Sequence, residues 1–148
     1  MLGTPTQGNT MSFKINTDNL CLPVSKQLTT YLEQLITDHL SYHAITINFR
    51  DPSYSADAGG FHPVEIRLEK DQSQWRISYI TDFCYVGSGY MAELAKDLDF
   101  DFGSGVFQNL VGTYPLEYAT EIYQIWEQNF LAYCTELDVF EIKAVTAS

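Results

Sequence analysis

Three aspartates, Asp97, Asp99 and Asp101, recur at every second position of the segment ELAKDLDFDF. On an extended strand that spacing turns all three to one face, with Leu98, Phe100 and Phe102 on the other. Carboxylates crowded this way repel unless a cation or hydrogen-bond donors neutralise them, so a divalent ion is one reading of the triad. The run begins like a calcium loop of the EF-hand type and then departs from it. Phe102 stands where the sharp-turn glycine belongs, and Gln108 replaces the bidentate glutamate. The expectation is an exposed acidic strand with no metal and no cofactor.

Other candidate chemistry is thinner. Gly87-Ser88-Gly89 lacks the helix and lysine of a phosphate cradle, and Val86 breaks the G-x-S-x-G pattern of a nucleophile elbow. Cys84 with His62 would make a thiol–imidazole pair, but the sequence offers no third residue to orient it. Cys21, Cys84 and Cys134 are too widely spaced for a disulfide framework or a zinc site and read as buried free thiols. His39 and His43 make a weak metal signal, and His39 reads as a core residue. Two connections stand out: DPSYSADAGG over residues 51–60 and the aromatic, glycine-containing FCYVGSGY over residues 83–90. Loops of such length and composition are where binding residues concentrate. A pocket beneath them would have His62, Asp82, Tyr85 and Tyr90 as polar walls.

Charge narrows the function classes. The chain of 148 residues carries a net −11. From Asp97 to Ile142 it contains no Lys or Arg, while Glu117, Glu121, Glu127, Glu136, Asp138 and Glu141 join the three aspartates there. That half offers no cation to replace the counterions of a phosphate backbone, so direct nucleic-acid binding is not expected. An anionic surface instead favours basic partners. No apolar run approaches the roughly 18 residues of a membrane span, and the first residues have neither the basic nor the hydrophobic region of a secretory signal. Residues 1–11 read as a disordered leader, residues 12–148 as one domain, and the cytoplasm as the location.

The elements that must position these residues follow from periodicity. Residues 24–42 carry a helical stripe of Val24, Leu28, Tyr31, Leu32, Leu35, Ile36, His39 and Tyr42, with Pro23 just ahead of it. Residues 44–50 (AITINFR) alternate as a strand. Residues 64–69 and 75–79 form a hairpin, with Val64, Ile66 and Leu68 on one face and Trp75, Ile77 and Tyr79 alternating in the second strand. A short helix is expected over residues 91–98, a return to strand over 99–102, a second long helix over 115–134 and a closing strand over 138–145. The arc of the second helix is Leu116, Ala119, Ile122, Tyr123, Trp126, Phe130 and Tyr133. These elements predict an α+β fold: a two-layer sandwich of a mainly antiparallel, twisted sheet of about four to five strands with two long helices on one face.

The segments GGFHPVEIRLE (59–69), WRISYITDFCYVG (75–87) and ELAKDLDFDF (93–102), with Ile125, Trp126 and Phe130 beyond them, resemble a bacterial family. It is catalogued only as a domain of unknown function, with small, soluble, single-domain members, some encoded near mobile genetic elements. The resemblance spans roughly residues 12–145 and implies the same α+β fold. It brings no activity, cofactor or catalytic residue.

The leading functional expectation is a non-enzymatic, acidic protein-interaction module of the bacterial cytoplasm. Asp97, Asp99, Asp101, Glu117 and Glu121 would present charge to a basic partner, with Tyr85 and Tyr90 as exposed aromatics. The alternative is a small-molecule binder or enzyme using the pocket described above. A homodimer through the closing strand is a third arrangement, if that strand lies at an open sheet edge.

Overall fold

The computed structural model describes residues 13–147; the leader expected at residues 1–11 lies outside them. Helix α1 (Lys26–Ile36) begins at Ser25, whose hydroxyl accepts the Leu28 N–H at 3.1 Å. Its stripe of Leu28, Leu32 and Ile36 is fully buried. The helix stops short of the predicted end. The Thr37 hydroxyl donates to the Glu33 carbonyl at 2.9 Å, and the chain tightens into a 3₁₀ turn at Thr37–His39. His39 is therefore only half-buried, beside Tyr42, and is not a core residue.

Seven strands form one sheet: β1 (Ala44–Arg50), β2 (Val64–Asp71), β3 (Gln74–Val86), β4 (Glu93–Asp101), β5 (Val106–Asn109), β6 (Thr113–Pro115) and β7 (Glu141–Ala147). Their order is β6-β5-β4-β3-β2-β1-β7, and every neighbouring pair is antiparallel. The expected four to five strands are thus seven. β5 and β6 are too short to show alternation. Residues 93–98, expected as a helix, extend β4 instead. Glu, Leu, Ala and Lys favour a helix locally, but Glu93, Leu94 and Ala95 pair with Val86, Tyr85 and Cys84 in a ladder that overrides the propensity. The aromatic stretch divides likewise: Phe83 to Val86 complete β3, and Gly89–Met91 form a 3₁₀ turn.

Two bulges set the faces of the sheet. Between β2 and β3, Arg67 pairs with Tyr79 and Leu68 with Ile77, leaving Ser78 as the extra residue. Trp75 and Ile77 are buried with Leu68, while Tyr79 turns to the other face and donates its hydroxyl to Glu65. The simple alternation expected for this strand ends at that point. Between β3 and β4, Asp82 pairs with Leu98 and Phe83 with Lys96, so Asp97 is the extra residue.

Helix α2 (Thr120–Ala132) follows a 3₁₀ turn at Leu116–Ala119 and runs into a π turn at Tyr133–Leu137, which ends at Asp138 with φ 52°. Together they match the predicted second helix closely. The core is rich in rings. Phe49 of β1 meets Phe130 of α2 edge-on at 4.9 Å and lies 6.5 Å from Tyr31 of α1. Phe100 of β4 meets Tyr123 edge-on at 5.2 Å, and Trp126 stacks on Phe130 at 4.8 Å. A buried carboxylate joins the helices: Glu127 Oε2 accepts the Ser25 N–H at 2.9 Å and the Tyr123 hydroxyl at 2.7 Å. Among the described residues no helix is long and apolar enough to cross a membrane.

Candidate functional site

The connection between β1 and β2 is tightly organised. Asp51 accepts the Ser53 N–H at 2.9 Å, the Ser53 hydroxyl at 2.6 Å and the Phe61 N–H at 3.0 Å. Ser55 and Gly59 exchange backbone hydrogen bonds, and the Ser55 hydroxyl accepts the Ala58 N–H at 2.9 Å. Gly60 closes the loop at φ +132°, where an added Cβ would stand 2.9 Å from Asp51 Oδ2 and 3.0 Å from Tyr54 Cα. Only glycine fits there. The closed loop sets the Tyr54 ring 5.1 Å from Tyr85, stacked, and 5.6 Å from His62, with its hydroxyl accepting the Tyr85 N–H.

His62 then lies over the bulged end of β3 and β4. Its Nδ1 is 2.7 Å from Asp82 Oδ1 and 3.6 Å from Asp97 Oδ2. The other oxygen of Asp82 accepts the Trp126 indole N–H at 3.0 Å, so a residue of α2 orients the carboxylate that holds the histidine. His62, Asp82 and Trp126 line a cleft of about 380 Å³ together with Phe61, Leu98, Ile122, Ile125, Tyr133 and Phe140. Asp82 is nearly buried, whereas His62 and Asp97 are partly open to solvent.

Neighbouring charges move the titrations here. The hydrogen bond to Asp82 raises the His62 pKa, with Asp82 and Asp97 adding to it through space and burial opposing. Burial raises the Asp97 carboxyl, followed by the negative charge of Asp82, while His62 pulls it down. Burial also raises Cys84, with Asp97 and Asp82 disfavouring its thiolate further. An imidazole committed to Asp82 and a thiol held protonated do not make the activated pair considered for Cys84 and His62.

The residues singled out in the sequence fall into separate groups. His62 and Asp82 meet in the cleft. Tyr85 stands behind them on Tyr54, outside the cleft wall, and Tyr90 is 97% exposed on the 3₁₀ turn. The aspartate triad does not share a face. The bulge turns Asp97 toward His62, whereas Asp99 is buried opposite Thr81, accepting its hydroxyl at 2.8 Å and lying 3.4 Å from Lys96 Nζ. Asp101 Oδ1 accepts the Ser104 N–H in the following turn. Glu117 and Glu121 are exposed at the start of α2. Sequence reasoning missed Tyr54, Trp126 as a polar partner, and Ile122 and Ile125 as cleft walls. Of these only Tyr54 carried a signal, as the one ring in a polar loop.

A seven-stranded antiparallel sheet with two helices and a histidine–carboxylate cleft at a β-bulge defines a small α+β protein. The model of a family described as protein of unknown function (DUF2787) matches residues 24–145, and the chain belongs to that family. Two solved structures are similar. One is the hypothetical protein VC0508 from the VSP-II pathogenicity island of Vibrio cholerae, 41% identical over 90% of this chain and 99% of its own, with a TM-score of 0.80. The other is the conserved hypothetical protein VC1805 from pathogenicity island VPI-2 of the same organism, 42% identical over 86% of this chain and 98% of its own, with a TM-score of 0.77. VC1805 is described as sharing structural homology with the human P32 protein. No curated protein matches the chain.

Proposed function

We propose that this protein is a non-enzymatic interaction module of the bacterial cytoplasm that docks a basic, amphipathic segment of another protein on the outer face of α2. One observation carries the reading. Ile122 and Ile125, three residues apart on one face of α2, are 40% and 61% exposed, and Tyr118 in the 3₁₀ turn just before the helix is 76% exposed. Apolar side chains left open in a row mark a contact surface. The charges beside them, Glu117 and Glu121, are acidic, and no Lys or Arg occurs from Asp97 to Ile142. A partner helix with apolar residues on one side and Lys or Arg at its margins fits both features. A link to mobile elements is supported by the origin of both similar structures in pathogenicity islands. The two-layer arrangement is part of the same reading, supported by the contacts of Phe49 with both Tyr31 and Phe130.

The test is titration of the labelled chain with a Lys- and Leu-rich amphipathic helical peptide, followed by NMR at constant salt. Shifts should map to residues 117–129. The Glu117→Lys/Glu121→Lys variant and the Ile125→Ser variant should each weaken binding at least about tenfold. Unchanged affinity in Ile125→Ser would reduce the effect to general electrostatics and overturn the proposal. Self-association through this face, seen as a concentration-dependent mass, would replace the basic partner by a second copy.

A further inference from the structure

The cleft beside that helix holds a second, independent feature. Donor atoms of His62, Asp82 and Asp97 all lie within 4.8 Å of one another, and they come from three segments: the entry to β2, the body of β3 and the bulge of β4. None of the three is brought there by its neighbours in sequence. Asp97 arrives only because β4 carries an extra residue, and bulges of this kind re-aim a side chain at functional sites.

We propose that His62 Nδ1, Asp82 and Asp97 form a three-ligand site for a divalent transition-metal ion of the zinc class, with its remaining positions open to the cleft. One imidazole nitrogen and two carboxylate oxygens make a mixed donor set that suits such an ion. With metal–ligand bonds of about 2.0–2.2 Å, tetrahedral ligand atoms stand roughly 3.3–3.6 Å apart. The 3.6 Å between His62 Nδ1 and Asp97 Oδ2 is already close to this. The 2.7 Å between His62 Nδ1 and Asp82 Oδ1 is a hydrogen bond. It opens by several tenths of an ångström as the shared proton leaves to solvent and the ion takes its place.

Two further observations set these groups apart from an ordinary structural ion pair. The Trp126 N–H holds the second oxygen of Asp82, the outer contact that fixes a ligating carboxylate in metal sites. The buried carboxylates of Asp51, Asp99 and Glu127 each collect at least two donors. Asp97, partly open to solvent, has His62 as its only basic neighbour within 4 Å among the described residues, with the Asp82 carboxylate also close by. Two carboxylates facing one imidazole leave a negative charge that a divalent ion removes. His62 and Asp82 line the cleft together with Ile122, Ile125 and Phe140, so water or a partly apolar ligand there completes the coordination.

The experiment is titration of the full, chelator-treated chain with Co²⁺, read by visible absorption, and with Zn²⁺, read by calorimetry. One ion per chain is expected. His62→Gln and Asp97→Asn should each weaken binding by at least about tenfold, whereas Asp101→Asn should bind as the parent does. Asp97→Asn is the decisive variant, because a merely structural His62–Asp82 bond does not need Asp97. Paramagnetic broadening by Co²⁺ in the unmodified chain gives a readout free of folding effects, expected at the Trp126 indole and at Ile122 and Ile125. No uptake at millimolar ion, or binding that survives both His62→Gln and Asp97→Asn, overturns the site. The docking face is tested separately, by the peptide titration carried out on chelator-treated protein.

Discussion

Gly60 shows how much of the cleft rests on single residues. Its φ of +132° and the closeness of Asp51 Oδ2 and Tyr54 Cα leave no room for a Cβ. Gly60→Ala is expected to cost about 1–3 kcal/mol and to loosen Tyr54 from Tyr85, read as a lower thermal midpoint and sharper, averaged Tyr54 ring signals. An unchanged midpoint would mean the loop closes without this glycine. Asp51 makes a second prediction. The Ser53 hydroxyl, then the N–H groups of Phe61 and Ser53, hold its carboxyl below the ordinary range. A depressed carboxyl contributes stability that is present above its unfolded value, near about 3.9, and is lost as pH falls through the folded value. The Ser53 and Phe61 amide resonances should therefore hold steady down to about pH 4 and move only below it. A midpoint above that would sink the assignment. Much of this was legible from residue types: His62 and Asp82 stood out as candidates, and they do meet. Period-two spacing groups Asp97 with Asp99 and Asp101 because it assumes an uninterrupted strand; the bulge that turns Asp97 toward His62 leaves no mark in composition.

The same lesson appears among the elements. Helix α2 and its flanking turns follow the expected apolar arc at Leu116, Ala119, Tyr123, Trp126 and Phe130, all buried, but two of its members depart from it: Ile122 is exposed and Tyr133 half-buried. Strands β1 and β2 likewise follow alternation. Residues 93–98 do not, because their conformation is decided by β3 alongside them. The link between the helices was equally hidden, since Glu127 read as one acid among many. It is buried and accepts two donors, one from the cap of α1 and one from α2 itself. Glu127→Ala would leave the Ser25 N–H and the Tyr123 hydroxyl without that acceptor, at an expected cost of about 1–3 kcal/mol. Chemical denaturation should show the midpoint fall with an unchanged slope. Equal stability of the two chains would show that water replaces the carboxylate without loss.

At the scale of the molecule, six strands run in sequence order, and the seventh returns to the far side of the first. That return makes the fold depend on its last residues. β7 pairs along all of β1, from Ala44 with Ala147 to Arg50 with Glu141. Just before it, Phe140 lies 6.1 Å from Phe49 and 6.0 Å from Phe130. A chain ended after Asp138 would lose both features at once. β1 would become the sheet edge, with its row of N–H and C=O groups unpaired and Phe49 stripped of one of its rings. Long, apolar edges of that kind pair with other chains. The shortened chain is expected to aggregate, or to lose its cooperative thermal transition, in light scattering and circular dichroism at equal concentration. A soluble monomer melting within a few degrees of the intact protein would make β7 an addition to a sheet already complete at β1. In the intact chain β7 is itself an edge, but Glu141 and Lys143 place charges of both signs along it. Charged edges resist pairing. By this physics the last strand both closes the sheet and blunts it.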